Sequence, residues 1–492
     1  MKPANLLFIF SDEHSRRVLG CYGHRMIRTP NLDRLAARGV RFTNAYTNSP
    51  ICVPARASLA TGRYPHEIRF WDNGIPYDGS VPSWHHRLKA AGREVVSIGK
   101  LHFRSADDDN GFTEEVMPMH VVGGVGDPLS WLRDPLPVRS AALRLAKEAG
   151  RGNSKYQEYD DKITDAAVAW LKARAARADA AGRPFVLFVS IVCPHFPLIA
   201  RPEWYDLYPE NTVPLPALYA PEERPSHPYV AAIRECQVYD KAFDAASLRR
   251  AIAAYFGMVS FTDHNVGRLV AALDETGLAE NTRVLYASDH GDNLGTRGLW
   301  GKSTMYEEAA GIPMIAAGPG LPESAVCAEP VSLADAFPTI LDWTGVAPNP
   351  DDSDVPGAVL SDIAAGAKRP KPMLVEYHAA GAATGAFMIR RGAYKYVHYV
   401  GMPPQLFDLA ADPQEAHDLA DAPGSRAVIA ECERELRRVV DPEAADALAR
   451  ADQAAKIAAF GGREAVLAHG SLGFSPPPGV KPVYDTVTGP SL

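Results

Sequence analysis

Residues 49–64 read Ser-Pro-Ile-Cys-Val-Pro-Ala-Arg-Ala-Ser-Leu-Ala-Thr-Gly-Arg-Tyr and place a cysteine directly before a predicted helix. Pro54 suits the first turn of that helix, because proline lacks the N–H that a first turn leaves unpaired. The predicted helix covers residues 55–61, and its free N–H groups and dipole face the Cys52 side chain. Arg56 lies one turn further on and can reach the same place. The stretch therefore predicts an anion-binding position at residue 52.

Continuous apolar runs flank this stretch and have the composition of strands that are covered on both faces. They lie at residues 6–10, 94–98, 185–192, 284–287 and 314–317. Helical patterns lie between them at 162–177, 248–275 and 333–343, and Thr29-Pro30 opens an earlier helix that Gly39 ends. Alternation of this kind predicts an α/β fold, with a mainly parallel sheet and helices on both faces.

The pattern changes near residue 370. Short strand patterns at 373–378, 386–391 and 394–400, followed by a helix pattern at 425–440, predict a smaller α+β subdomain with an antiparallel sheet. The last residues are rich in Pro and Gly, which predicts either disorder or an arm docked on another surface. We predict a catalytic domain over 1–369, a C-terminal subdomain over 370–469 and an oligomerisation arm over 470–492, in a homodimer or homotetramer.

The composition of the chain limits the classes of partner that it is expected to bind. The net charge of −8 over 492 residues argues against a nucleic-acid partner, which requires a basic excess. Six scattered cysteines without a CxxC pair fit a reducing compartment. The run at 6–10 is too short for a signal peptide, and no run approaches the roughly 20 apolar residues that span a bilayer. We expect a cytoplasmic protein that binds neither nucleic acid nor membrane.

Polar side chains follow four of the predicted buried strands. They are Asp12 with Glu13, Lys100 with His102, His195, and Asp289 with His290. Open parallel sheets bind ligands beyond the carboxyl ends of their strands, so we expect these side chains to lie together. The carboxylates and His290 suit a hard divalent cation. Two other histidine-containing pairs are interpreted as structural residues and not as metal ligands. Asp263-His264 falls inside a long helix pattern, and His85-His86 falls on a predicted helix surface.

The segment Cys52-Val53-Pro54-Ala55-Arg56, followed by Thr61-Gly62-Arg63, resembles the signature of the type I sulfatases, Cys-x-Pro-x-Arg…Thr-Gly-Arg. The resemblance extends to residues 31–35, 99–102, 288–292, 299–302 and 405–409. It implies the α/β/α sandwich of the alkaline phosphatase superfamily. Within that superfamily the chain is similar to choline-sulfatases and phosphonate monoester hydrolases.

The resemblance also implies a mechanism. Cys52 would be oxidised to formylglycine by a formylglycine-generating enzyme, and the hydrated aldehyde would attack the sulfur of a sulfate ester. It implies these roles: Asp12, Glu13, Asp289 and His290 as metal ligands; Arg56, Lys100 and Lys302 as partners of the oxyanions; His195 as acid; His102 as base; Asn73 as substrate contact. Calcium is the favoured metal, with manganese or magnesium as alternatives. The family usually has Asp or Gln at position 13, so Glu13 either binds the metal with altered geometry or only balances charge.

We expect hydrolysis of a small alkyl or aryl sulfate monoester. A quaternary ammonium leaving group would need aromatic walls, for which Trp84, Trp131, Trp300 and Tyr377 are candidates. His378 either lines the substrate pocket or caps a strand. Two rival functions stay open. One is a phosphonate monoester or phosphodiester hydrolase, a class that lacks the Lys100-x-His102 pair; the other is a non-catalytic anion-binding relative with an unmodified Cys52.

Overall fold

The computed structural model describes residues 1–177, 182–369, 371–485 and 487–488. Most of the longer strands build one large sheet, and the rest form a smaller antiparallel sheet and short pairs. The strands are β1 (Asn5–Asp12), β2 (Gly39–Phe42), β3 (Ala45–Tyr46), β4 (Val95–Lys100), β5 (Glu114–Met119), β6 (Val138–Arg139), β7 (Gly150–Arg151), β8 (Val186–Pro194), β9 (Ile199–Ala200), β10 (Thr282–Ser288), β11 (Met314–Ala317), β12 (Ala325–Cys327), β13 (Val331–Ser332), β14 (Leu374–Tyr377), β15 (Ala386–Arg391), β16 (Tyr394–Tyr399), β17 (Met402–Asp408) and β18 (Val487–Thr488).

The large sheet confirms the predicted mainly parallel architecture. Its strand order is β12-β2-β11-β10-β1-β8-β4-β5, and β11 alone among these eight strands runs against the others. The run at 314–317 is therefore a strand, as predicted, but an antiparallel one. β1 lies inside the sheet and is buried along its whole length. Its carboxyl end is flanked by those of β8 and β10, so the side chains that follow the three strands are close together.

Helices cover both faces of this sheet, which confirms the predicted three-layer sandwich. The helices are α1 (Pro30–Ala37), α2 (Cys52–Thr61), α3 (Pro65–Ile68), α4 (Trp84–Ala90), α5 (Ala141–Glu148), α6 (Lys155–Ala175), α7 (Pro202–Tyr205), α8 (Pro228–Cys236), α9 (Tyr239–Ala242), α10 (Ala245–Glu275), α11 (Glu307–Ala310), α12 (Ala336–Thr344), α13 (Leu360–Ala364), α14 (Ser425–Arg437), α15 (Pro442–Ala459) and α16 (Arg463–His469).

Alternate residues of β1 point into two separate cores, as the period of a strand requires. Leu7 and Ile9 pack with α1, α6 and α10, whereas Phe8 and its neighbours on the opposite face pack with α2, α4 and α12. None of the helices in the described ranges combines the length and the apolar character that crossing a bilayer requires.

Two residue pairs, Asp263-His264 and His85-His86, were predicted to be structural, and the structure agrees with the predicted position of the first pair only. Asp263 on α10 accepts hydrogen bonds from the backbone N–H groups of Asn31 and Leu32, at 3.0 and 2.7 Å, and so caps the start of α1 as a structural residue. The placement of His85 on a helix surface was wrong. His85 is buried and stacks on the ring of Phe112 at 4.2 Å between centroids, because α4 turns this side chain towards the sheet.

Residues 374–408 form the predicted small antiparallel sheet, with strand order β14-β15-β16-β17, and α14 packs against it. The sequence did not predict α15 or α16. α15 reaches the large domain, where Asp452 accepts a hydrogen bond from Trp71 Nε1 at 2.7 Å and Gln453 donates one to Asp72 at 2.7 Å. The described part of the tail lies along its own chain, with β18 paired to β6. Its role as an oligomerisation arm stays a prediction.

Candidate active site

The strand ends meet at one edge of the large sheet, as the sequence predicts. Asp12 is the last residue of β1 and Lys100 the last of β4, while His195 follows β8 and Asp289 follows β10. All four side chains are buried. Lys100 Nζ lies 2.6 Å from Asp12 Oδ2, which joins the ends of two strands that are not direct neighbours.

Helix α2 starts earlier than predicted, at Cys52 itself, after Ile51 in extended conformation. The Cys52 Sγ atom lies 3.2 Å from His290 Nε2, 3.2 Å from Lys302 Nζ and 3.7 Å from Asp12 Oδ1. Burial raises the pKa of Cys52 to about 11, and Asp12 adds to this while Lys302 opposes it. The unmodified thiol therefore stays protonated at neutral pH and is a poor nucleophile.

Arg56 fixes the two carboxylates nearest to Cys52. Its guanidinium donates from Nη2 to Asp12 Oδ2 at 2.8 Å and from Nε to Asp289 Oδ2 at 2.9 Å. A third donor, Nη1, binds the Lys100 carbonyl at 2.8 Å. Burial alone would raise the pKa of Asp12, but Lys100, His195 and Arg56 lower it well below its ordinary value. Asp12 is therefore ionised at neutral pH.

Two overlapping groups of side chains could hold a metal ion. Ligand atoms of Asp12, Cys52, Asp289 and His290 lie within 4.8 Å of one another, and so do those of Asp12, Glu13 and His195. The donor set, mainly carboxylate oxygens with imidazole nitrogen, fits a hard divalent cation. Glu13 supports this fit, because its Oε1 atom is buried and has no hydrogen-bond partner among the described residues.

Glu13 lies in a strained turn that places its side chain in the site. Its φ angle is +64°, and its N–H donates to Asp289 Oδ1 at 3.1 Å. The Tyr255 hydroxyl donates to the Glu13 carbonyl at 2.6 Å and accepts from the Ser15 N–H at 2.9 Å, which holds this turn. Burial raises the pKa of Glu13 well above its ordinary value, although Lys302 opposes it. A bound cation would lower that pKa again.

The two candidate proton-transfer histidines differ in their partners. His195 Nε2 lies 2.7 Å from Lys302 Nζ and 3.3 Å from Glu13 Oε2. Burial, together with Lys302, lowers the pKa of His195 well below its ordinary value. His102 Nε2 lies 2.9 Å from the Ser475 hydroxyl, which belongs to the tail. Burial, helped by Lys100, lowers the pKa of His102 in the same way, so both rings are neutral at pH 7.

A cavity of about 50 Å³ adjoins these groups and includes Asn73 in its lining. Asn73 Oδ1 accepts a hydrogen bond from the Val53 N–H at 3.1 Å, so this side chain is fixed at the start of α2. His378 does not line this cavity. Its Nε2 atom lies 3.0 Å from Glu376 Oε2 and its ring packs against Trp71, because the residue is buried between the small sheet and the large domain. The assignment of His378 to the substrate pocket was wrong.

The candidate aromatic walls are mostly core residues. Trp84 and Trp131 belong to the core on the α2 face of the sheet, and Tyr377 is buried with its hydroxyl bonded to the Ala380 carbonyl. Trp300 borders a cavity next to the site, but its indole stacks on Phe243 with 3.8 Å between ring centroids.

Several residues near the site were not predicted from the sequence. Ser475, Asp127, Arg139 and Tyr255 come from a tail, a loop, a two-residue strand and the long helix α10. No motif marks these positions. Only the topology brings them to the carboxyl edge of the sheet.

Comparison with known proteins supports the assignment made from the signature. A family model described as Sulfatase matches residues 4–346, and one described as N-sulphoglucosamine sulphohydrolase, C-terminal, matches residues 295–441. Choline-sulfatase of Rhizobium meliloti (strain 1021) is 34% identical over 429 residues, which cover 86% of this chain and 83% of that protein. Arylsulfatase K of Danio rerio is 29% identical over 462 residues, covering 89% and 84%.

Among solved structures, the phosphonate monoester hydrolase of Agrobacterium radiobacter has the same fold. The TM-score is 0.70 at 23% identity, and the match covers 89% of this chain and 95% of that one. The family model spans more than half of the chain, and the clustered strand ends and the residue 52 signature lie within it. The chain belongs to the sulfatase family and is a sulfatase enzyme.

Proposed function

We propose that the protein hydrolyses a small alkyl or aryl sulfate monoester, with formylglycine made from Cys52 as the nucleophile and a divalent cation beside it. One observation carries this proposal. Cys52 is the first residue of helix α2, at the edge where parallel strands end. Its sulfur atom lies within 3.7 Å of a carboxylate, an imidazole and an ammonium group. An oxygen nucleophile in that position would face both a cation site and the donors that bind sulfate oxygens.

Residue 52 would supply the covalent chemistry. Once oxidised and hydrated, it offers one hydroxyl to attack sulfur and a second whose deprotonation releases sulfate. The His102 ring is neutral and buried, so it can accept that second proton. Ser475 fixes one of its nitrogens at 2.9 Å, and the other, Nδ1, has no hydrogen-bond partner within the described ranges.

The cationic side chains would stabilise charge that develops on the sulfate oxygens. Lys302 Nζ lies 3.2 Å from Cys52 Sγ and 2.7 Å from His195 Nε2, so it is placed between the nucleophile and the proposed acid. Burial alone would lower the pKa of Lys302, but Cys52 in the unmodified protein, together with Glu13, Asp12 and Asp289, raises it above its ordinary value. The three carboxyl groups remain after residue 52 is oxidised. Lys302 therefore acts as a charged hydrogen-bond donor, to a sulfate oxygen and to His195 Nε2, and the Phe196 carbonyl fixes the other His195 nitrogen at 2.6 Å.

Asp12, Asp289, His290 and Glu13 would hold the cation. Bound there, it would polarise a sulfate oxygen and favour the ionised form of the attacking hydroxyl. Oxygen-rich ligation favours calcium, with manganese second and magnesium possible in the same donor set. Arg56 is better suited to orient Asp12 and Asp289 than to contact sulfate, because all three of its donor nitrogens already have partners.

Phosphonate monoester or phosphodiester hydrolysis is the second candidate, favoured by the shared fold at TM-score 0.70. The phosphonate hydrolase class lacks a Lys-x-His pair. Here Lys100 and His102 are both buried at the site, beside Asp12 and Ser475, which favours a sulfate ester as the substrate. The test uses protein made together with a formylglycine-generating enzyme. We expect a higher kcat/KM for an aryl sulfate than for the matched aryl phosphodiester, and no turnover by the C52A variant.

A large preference for the diester would overturn the proposed substrate class. Full activity of C52A would show that residue 52 is not the nucleophile. Binding of sulfate without turnover by fully converted protein would favour the non-catalytic alternative. The substrates tested should also include choline sulfate, because a relative at 34% identity is named choline-sulfatase. We also propose a homo-oligomer built through the tail; a monomeric mass in sedimentation would exclude it.

A further inference from the structure

A second cavity, of about 90 Å³, lies directly beside the cavity at residue 52. Asn73, Asp127, Lys302 and Gly473 line both cavities, so the two are adjacent. A sulfate group held next to Lys302 leaves this second space for the alcohol to which it is esterified.

Asp127 and Arg139 form a polar pair in the lining of this second cavity. Asp127 Oδ2 accepts from Arg139 Nη2 at 2.6 Å and from the Ser130 hydroxyl at 2.8 Å. The other atoms of the pair, Asp127 Oδ1 and Arg139 Nη1, are buried and have no hydrogen-bond partner in the described part of the chain. Arg139 is only 6% exposed, and buried polar groups without partners are costly. An unused acceptor and an unused donor on adjacent side chains match a group that both donates and accepts, such as a hydroxyl.

The position of Asp127 is coupled to the nucleophile. Its N–H donates to the Asn73 carbonyl at 3.0 Å, and Asn73 Oδ1 in turn accepts from the Val53 N–H, next to Cys52. Gly126 permits this close approach, because a Cβ atom there would lie 2.1 Å from the Asn73 carbonyl oxygen. The backbone therefore sets the distance between residue 52 and the Asp127–Arg139 pair.

The same cavity is poorly suited to a quaternary ammonium group. Lys302 Nζ already lies 4.9 Å from the centroid of the Phe196 ring, and Phe243 covers one face of Trp300. Arg139 neutralises the charge of Asp127. A cation would thus meet the Lys302 ammonium, find the Asp127 charge already balanced and have few open aromatic faces, which disfavours binding.

We propose that Asp127 and Arg139 bind a second hydroxyl group of the leaving alcohol, so that the preferred substrate is the monosulfate of a small polyol. This inference rests on the proposed sulfatase activity and names its substrate class. Asp127 Oδ1 accepts from that hydroxyl while Arg139 Nη1 donates to its oxygen. An alcohol of equal size without the hydroxyl leaves both buried groups unpaired, and such sites discriminate strongly.

The test compares kcat/KM for glycerol 1-sulfate, propyl sulfate and choline sulfate, with the formylglycine form of the enzyme. We expect wild type to prefer glycerol 1-sulfate over propyl sulfate by about tenfold or more. The variants D127N and R139Q should each reduce that ratio to about threefold or less. The ratio is internal to each preparation, so a partly unfolded variant does not distort it.

Arg151→Gln provides the matched control. Arg151 pairs with Asp206 at 2.9 Å on the surface and lies outside the lining of both cavities, so its loss should leave the ratio unchanged. A preference for propyl or choline sulfate, or an unchanged ratio in both D127N and R139Q, would overturn the inference while leaving the sulfatase proposal intact. Turnover of an aryl phosphodiester without turnover of any sulfate would instead remove the proposed function, and the polyol subsite with it.

Discussion

Replacing Lys395 by methionine should destabilise the contact between the small sheet and the large domain. Lys395 lies on β16 with 0% of its side chain exposed. Its Nζ atom is 3.0 Å from Glu307 Oε1 and 2.7 Å from Glu415 Oε1. Arg16 also binds Glu307, and in the described part of the chain the other cation close to Glu415 is Arg297, at 3.8 Å. Without Lys395, the Glu415 carboxylate would stay buried with only weak charge compensation.

The magnitude follows from this geometry. Removing one partner of a buried ion pair costs about 3–5 kcal/mol, because the other charge is left uncompensated. An unfolding entropy of about 2.1 cal/mol/K per residue gives about 1 kcal/mol/K for 492 residues. The K395M variant should therefore melt about 3–5 °C below wild type. Methionine keeps the length of the side chain, so loss of packing contributes little.

Scanning calorimetry or circular dichroism measures this shift, with R391M as the control. Arg391 pairs with Glu431 on the surface, where both side chains are about 40% exposed, and such pairs contribute at most about 1 kcal/mol. We expect its melting temperature to fall by about 1 °C or less. The double variant K395M/E415Q should recover part of the loss, since it removes the buried charge. A K395M melting temperature equal to that of R391M would refute the reasoning.

Three further predictions concern the site and its support. Arg56→Lys should lower kcat by about tenfold to 100-fold in steady-state assays, because lysine cannot bind Asp12 and Asp289 together; a variant within twofold of wild type would contradict this. Ser475→Ala should lower kcat/KM about fivefold and change its pH profile, since His102 loses its partner, and an unaltered profile would speak against that contact. Burial would raise the pKa of Glu376, but His66 and His378 lower it to about 2. Stability that is present above pH 4.5 should thus fall by about 3 kcal/mol towards pH 2 in denaturant titrations, and E376Q should lack this loss; equal acid sensitivity of E376Q would rule it out.

The main sheet was predictable because its strands are buried on both faces. Continuous apolar runs such as 6–10 leave little ambiguity, and their carboxyl ends necessarily meet at one edge of a parallel sheet. Asp12, Lys100, His195 and Asp289 were therefore placed together from sequence position alone. The direction of β11 was not predictable in this way, since an apolar run of four residues is the same in either direction.

The remaining contacts depend on long-range packing. His378 follows a strand, as a site residue would, but its strand belongs to the small sheet, whose edge lies against Trp71 rather than against Cys52. Ser475 reaches His102 across 373 positions of chain, and no local pattern encodes that pairing. The start of α2 was placed at residue 55 because Pro54 suggested a first turn, whereas the helix begins at Cys52. The expected free N–H groups are not all available, because the Val53 N–H is bonded to Asn73 Oδ1 and the Ala55 N–H to the Ile51 carbonyl.

Mass spectrometry of the peptide that carries residue 52, combined with an aryl sulfatase assay on the same preparations, tests the central claim most directly. Preparations made with increasing amounts of a formylglycine-generating enzyme should show the cysteine converted to the aldehyde in increasing fraction. The account predicts that the specific activity rises in proportion to this fraction and disappears when a chelator removes the divalent cation. Full activity with an intact Cys52 thiol, or complete conversion without sulfate ester hydrolysis in the presence of calcium or manganese, would contradict it.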